Sequence, residues 1–170
     1  TYCQTKAGLC RNSLAIAETK PQNAAVVIYR NDAADLHISK KDVQRLDFTG
    51  AGGLLITGTA TSGEPSASAV SIAIAAARQA GCPIIFDIDY RANAWPDAAT
   101  AAFRMGPELA QADILVGNND EFTVMCGGDE AKGLAAARAC AEAGQLVLYK
   151  RGELGCISLY QEHVIETGIF

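Results

Sequence analysis

The sequence is poor in the residues that build metal clusters, disulfide frameworks and membrane spans. It has two histidines, His37 and His163, and no Cys-x-x-Cys pair lies beside either of them. A zinc site is therefore not expected. Six cysteines occur, Cys3, Cys10, Cys82, Cys126, Cys140 and Cys156, in a chain of 170 residues that is long enough to bury a core without cross-links. Free thiols are the expectation, and they suit a reducing, cytoplasmic setting. No apolar run reaches the ~18–20 residues that span a bilayer, and no apolar signal-peptide core follows Thr1-Tyr2-Cys3. Basic residues are also in deficit: 14 Lys and Arg against 19 Asp and Glu leave a formal net charge of −5. With no basic stripe to neutralise phosphates, nucleic acid is not expected as a partner, and neither is a membrane.

Familiar nucleotide and hydrolase signatures are missing as well. No Gly-x-Gly-x-x-Gly follows a strand, and no Gly-x-x-x-x-Gly-Lys-Ser/Thr occurs anywhere. A Rossmann dinucleotide site and a P-loop are both unsupported. The loop Gly50-Ala51-Gly52-Gly53 precedes a strand run, the wrong side for a phosphate cradle. There is no Gly-x-Ser-x-Gly elbow.

What is present is the pattern of an α/β domain. Hydrophobic residues make up 49% and charged residues 19%, an ordinary globular balance. Residues 13–17 and 25–29 read as two strands around the turn formers of Thr19–Asn23, and Ala33 to Ser39 as a short extended piece. From about residue 43 strands and helices alternate. The strand run Leu54–Thr57 is followed by an alanine-rich helix over 66–80, stopped by Gly81. Pro83–Asp87 is the next strand, then a helix over 97–111 and a strand at Ile114–Val116. A short helix over 120–125 and a longer one over 130–143 lead to the strand Leu146–Tyr149 and a closing hairpin over 156–166. Such alternation predicts a mostly parallel sheet with helices on both faces, preceded by a small β section.

In parallel sheets ligands bind beyond the carboxyl ends of the strands. That rule selects Gly58-Thr59-Ala60, Asp87-Ile88-Asp89-Tyr90-Arg91, Gly117-Asn118-Asn119-Asp120-Glu121 and Lys150-Arg151-Gly152-Glu153-Leu154-Gly155. If the strand conformation persists, Asp87, Asp89 and Arg91 share a face. They admit two readings: mutual ion pairs, or a polar clamp in which Arg91 offers its fork to a carboxylate and the aspartates accept from sugar hydroxyls. Asn118 and Glu121 also admit two: a helix cap, or a site where Glu121 helps hold a hydrated Mg²⁺. Lys150, Gly152 and Gly155 form either a plain tight turn or a nucleotide-side loop.

These four segments, in this order, resemble the ribokinase-like (PfkB) carbohydrate kinases, over essentially all 170 residues. Phe86-Asp87-Ile88-Asp89-Tyr90-Arg91 with Trp95, and Ile28-Tyr29-Arg30-Asn31-Asp32-Ala33-Ala34-Asp35, are most similar to the branch that acts on keto-deoxy sugar acids. The resemblance implies ATP and Mg²⁺ as cofactors and a small-molecule sugar acid as substrate. Asn118 and Glu121 match the Asn-x-x-Glu motif that organises Mg²⁺ and phosphates, with Glu121 on the metal side. Lys150, Gly152 and Gly155 match the turn beside the nucleotide. Arg30 matches a substrate-side arginine of the lid, and Arg91 the arginine that faces the acid's carboxylate, with Asp87 and Asp89 beside it. Residues 1–42 then belong to a β lid, through which a homodimer is implied, and 43–170 to the nucleotide-binding α/β domain. The family's Gly-Ala-Gly-Asp motif, which carries the anion hole and the catalytic base, does not occur here; Gly50-Ala51-Gly52 is followed by Gly53. The expected aspartate would lie beyond Phe170, so the chain reads as incomplete, with no catalytic residue and with poor phosphoryl transfer by itself. A non-catalytic sugar-acid or nucleotide-binding domain is the alternative of another class.

Overall fold

A computed structural model describes residues 8, 10–19 and 26–169 of the chain. β1 (Leu14–Ala17) and β2 (Val26–Tyr29) form an antiparallel ribbon with Leu14 opposite Tyr29 and Ala17 opposite Val26. Both expected strands are therefore present. Ala25 and residues 20–23 of the intervening turn lie outside the described residues, as do Cys3 and Phe170. A two-stranded ribbon is marginal alone. This one is tied down by the Asn93 amide, which donates to the Ile28 carbonyl at 3.3 Å, and by Arg30, which donates to the Thr59 carbonyl at 3.0 Å.

The extended piece expected over Ala33–Ser39 is corrected. Ala34–His37 is a tight 3-10 turn, followed by α1 (Lys40–Val43). Two pairings over five residues curl the chain: the Arg30 Nε–H donates to Asp35 at 2.7 Å, and His37 lies 2.8 Å from Asp32. Asp42 then accepts from the Ser39 N–H at 2.8 Å, an acidic cap that starts α1.

The remaining elements in chain order are β3 (Leu54–Thr57), α2 (Ser66–Gln79), β4 (Ile84–Asp87), α3 (Ala98–Leu109), β5 (Ile114–Asn118), α4 (Asn119–Met125), α5 (Glu130–Glu142), β6 (Leu146–Lys150), β7 (Cys156–Tyr160) and β8 (His163–Thr167). They build one six-stranded sheet in the order β3-β4-β5-β6-β7-β8. The first four strands run parallel and the last two antiparallel, so the sheet is mostly parallel as expected. Gly81 at φ +67° ends the helix before β4, and Gly144 at φ +99° the one before β6.

Register explains where the core sits. Ile56, Phe86, Leu115, Val147 and Leu159 lie side by side across five strands, all buried, and pack with Val70 and Ile74 of α2, Met105 of α3 and Ala137 of α5. The next row, Leu55, Ile85, Ile114 and Leu146, points the other way; Leu55 is 62% exposed and the other three are half-buried. Among the described residues the helices thus meet the expectation of two covered faces on one face only. The strand order never doubles back, so right-handed crossovers all fall on the same side. No helix of the described residues is long and apolar enough to cross a membrane.

Candidate functional site

The carboxyl ends of β3 and β4 face the β1–β2 ribbon across a cavity of about 600 Å³, lined among others by Arg30, Asp35, Thr59, Asp89, Arg91 and Asn93. Three of the expected site residues, Arg30, Asp89 and Arg91, therefore meet. Their guanidinium groups are in different states. Arg30 is fully engaged: its Nε and Nη2 go to the Asp35 carboxylate and its Nη1 to the Thr59 carbonyl. Arg91 is held by Asp89 at 2.6 Å through Nη2, donates from Nη1 to the Tyr90 carbonyl at 3.4 Å, and is 45% exposed in the cavity wall.

Asp87 does not join them. The strand alternation that would have put Asp87, Asp89 and Arg91 on one face stops at the end of β4, and Asp89 has a left-handed backbone at φ +38°. Asp89 and Arg91 turn toward the ribbon. Asp87 stays on the sheet and faces Lys150 of β6, whose Nζ lies 3.7 Å from its Oδ1 and 3.9 Å from Glu121. That Asp87 oxygen is buried and has no hydrogen-bond partner.

Glu121 is 4% exposed and belongs to a reciprocal cap. It accepts from the Asn118 N–H at 2.7 Å, and the Asn118 side chain accepts from the Glu121 N–H at 2.9 Å. The helix-cap reading is thus realised in the geometry, and it leaves the second Glu121 oxygen uncommitted by the cap. Burial pushes the Glu121 carboxyl above its ordinary range, with the Asp87 charge adding to the rise; the Asn118 N–H, Lys150 and Arg91 oppose it, and burial wins. Since the cap stands without any ligand, Asn118→Ala is expected to cost about 1 kcal/mol in denaturant unfolding. A change under ~0.3 kcal/mol would mean that the cap contributes nothing.

A second cavity, of about 750 Å³, opens beyond β5 and β6, with Asn118, Lys150 and Gly152 in its wall and Leu134 and Leu154 as apolar sides. Gly152 has φ +57°, which its place in the turn after β6 requires. Gly155 shares the left-handed backbone, at φ +79°, and adds a steric reason: a Cβ there would sit 1.9 Å from the Thr167 carbonyl oxygen of β8. Close hairpin packing accounts for it. Among the described residues no group of three or more His, Cys, Asp or Glu is placed to hold a metal ion. Two carboxylates around Lys150, one of them with a buried oxygen that no hydrogen bond satisfies, nevertheless suit Mg²⁺, which keeps most of its waters and takes few protein ligands.

Sequence reasoning did not single out Thr59, Asp35 or Asn93. Thr59 lay in a selected strand-end segment, but the pairing that makes it matter is tertiary. With both cavities and their charges in place, comparison with known proteins adds the family. The pfkB family carbohydrate kinase model matches residues 1–168. The chain belongs to the pfkB family of carbohydrate kinases. It is 34% identical to the 5-dehydro-2-deoxygluconokinase of Photobacterium profundum over 165 residues, 94% of this chain and 50% of the relative. Against the 5-dehydro-2-deoxygluconokinase of Bacillus velezensis it is 32% identical, over 96% of this chain and 51% of the relative. The chain thus spans about half the length of these curated relatives. Its fold is similar to that of a fructokinase from Vibrio cholerae O395 in fructose-, ADP- and calcium-bound form, with TM-score 0.77 and 19% identity over 95% of this chain and 52% of that one. A fructokinase from Xylella fastidiosa gives TM-score 0.77 at 20% identity over 95% and 50%.

Proposed function

We propose that this chain is the substrate- and nucleotide-facing part of an ATP-dependent kinase that phosphorylates a hydroxyl of a keto-deoxy sugar acid, 5-dehydro-2-deoxygluconate in inositol catabolism. The observation that carries the reading is Arg91, a half-exposed guanidinium held through Nη2 by Asp89, with only a long 3.4 Å contact from Nη1 to the Tyr90 carbonyl, in the wall of a sugar-sized cavity. A planar fork of donors takes a carboxylate in two parallel bonds. The names of the curated relatives support the same substrate. The acid 2-keto-3-deoxygluconate offers the same carboxylate and is the runner-up within the class.

In this reading residues 1–42 are the lid and 43–170 the nucleotide-binding domain. Arg30 closes the lid side of the sugar cavity, and Asp89 and Arg91 orient the acid. Asn118, Lys150 and Gly152 flank the phosphates, and Gly155 shapes the turn behind them. Glu121, with Asp87 across from it, would hold Mg²⁺, which when bound screens phosphate charge during transfer. Phosphoryl transfer depends mostly on such positioning and charge stabilisation. The Lys150 ammonium lies within 4 Å of both carboxylates, in a place where it can turn to a phosphate oxygen. The enzyme works in the cytoplasm, and the exposed Leu14, Ile16 and Val26 of the ribbon favour a homodimer through the lid.

The test is the rate at which the full-length parent enzyme, carrying the substitutions, phosphorylates both acids and an uncharged sugar of equal size. Arg91→Ala is expected to lower kcat/KM for the favoured acid about thirtyfold, the scale of hydrogen bonds to a charged group, and to leave the uncharged sugar unaffected. Equal indifference of the acid to Arg91→Ala and Arg91→Lys would sink the carboxylate role.

A further inference from the structure

Thr59 carries no charge, yet both arginines of the sugar cavity lead to it. It lies in the tight turn Gly58–Thr61 after β3 and is 8% exposed. Its carbonyl oxygen accepts from Arg30, at the end of β2, at 3.0 Å. Its hydroxyl donates to Asp89 Oδ2 at 3.3 Å and lies 3.2 Å from the Thr57 hydroxyl. A carboxylate only accepts, so the single Thr59 proton goes to Asp89 and the Thr57 hydroxyl donates to Thr59. Asp89 Oδ1 then holds Arg91 at 2.6 Å. The donations converge on the Asp89 carboxylate, from Thr57 through Thr59 on one side and from Arg91 on the other. The two hydroxyl contacts, at 3.2 and 3.3 Å, are at the long end for O–H···O bonds.

What makes this chain of contacts consequential is the backbone beneath it. Asp89 sits outside any strand at φ +38°, so no ladder of hydrogen bonds fixes its orientation. Arg91 is a flexible side chain, 45% exposed, which swings into solvent once its carboxylate partner turns away. The geometry points to Thr59 as a positioning residue that presets Arg91 for the anionic group of the substrate and ties that setting to the seating of the β1–β2 ribbon through Arg30. This rests on the acid-binding reading above. Presetting lowers the ordering cost of binding, so its loss falls on ligands that use Arg91 and spares those that do not.

Calorimetric titration of the protein with 5-dehydro-2-deoxygluconate and with an uncharged sugar of equal size separates the possibilities. Thr59→Val, which replaces the hydroxyl by a methyl of the same shape, is expected to weaken the acid about tenfold and the uncharged sugar less than about twofold. Thr59→Ala repeats the loss without the added methyl, and Thr59→Ser restores acid affinity. In an Arg91→Ala background, Thr59→Val adds nothing, as coupled residues require. Unchanged acid affinity, an equal loss for both ligands, or a full additive loss in that background overturns the role of Thr59 while the acid reading stands. A wild-type protein that binds the acid no better than the uncharged sugar overturns the acid reading, and the role of Thr59 with it.

Discussion

Replacing Glu121 with glutamine is expected to make the protein more stable and to weaken divalent-cation binding at least about a hundredfold, the scale of losing a charged ligand at a hard-cation site. The stability half follows from burial. The carboxyl sits 4% exposed, and desolvation raises its pKa despite the Asn118 N–H, Lys150 and Arg91. An acid whose folded pKa lies above its unfolded value contributes stability below the unfolded value and loses it as pH rises through the folded one. Wild-type stability therefore declines through that window, and the glutamine variant lacks the decline. The glutamine carbonyl still accepts from the Asn118 N–H, so the reciprocal cap survives. Lys150 keeps Asp87 and Arg91 keeps Asp89, and both cations are nearly half exposed to water. Thermal unfolding from pH 4 to 8 should show little difference at the acid end and a midpoint higher by roughly 2–4 °C at neutral pH, about 1 kcal/mol in a domain of this size. Cation binding, read from Mn²⁺ paramagnetic resonance with nucleotide present, should fall in the same variant. A lower midpoint at pH 7 would mean that the ion pairs outweigh the burial; unchanged Mn²⁺ affinity would remove Glu121 from the cation site.

That opposition between stability and ligand chemistry is what made this end of the sheet legible in the sequence. Charged residues at or shortly after the ends of apolar strand runs, Asp87, Glu121 and Lys150, have no reason in the core, and the two carboxylates each lie within 4 Å of Lys150. The parallel order of β3 to β6 was legible for the same reason, since apolar runs separated by alanine-rich helices have few other ways to pack. Four things were not. Asp87 separates from Asp89 because of one left-handed residue, and period-two reasoning has no access to it. Ala33–Ser39 curls because Arg30 and His37 each find an aspartate five residues away, which overrides an extended pattern. The helices gather on one face because of strand order, which appears only once pairing is known. Thr59 was invisible as a site residue because half of its part is played by a backbone carbonyl.

Gly58 shows how tightly the fold and the sugar cavity are joined, and Gly58→Ala is expected to cost about 3 kcal/mol or more. The reason is steric and not conformational, since Gly58 has no left-handed backbone. A Cβ would sit 2.2 Å from the Ile88 carbonyl oxygen and 2.4 Å from the Met105 sulfur. Met105 is fully buried in the core and can shift only by displacing its neighbours. The Ile88 backbone is pinned by its N–H, which donates to the Val116 carbonyl at 2.9 Å. The turn after β3 must therefore lift away from the end of β4. Thr59 moves with it, and the contact with Asp89 opens. A melting midpoint lower by roughly ten degrees follows for a domain of this size, together with weaker acid binding in whatever fraction stays folded. Gly63→Ala is the control: it lies five residues on, has open space around its Cβ, and should stay within about 0.5 kcal/mol of wild type. Should Gly58→Ala melt within two degrees or so of wild type, the turn has slack that these distances deny, and the coupling of Thr59 to Asp89 loses its rigid support.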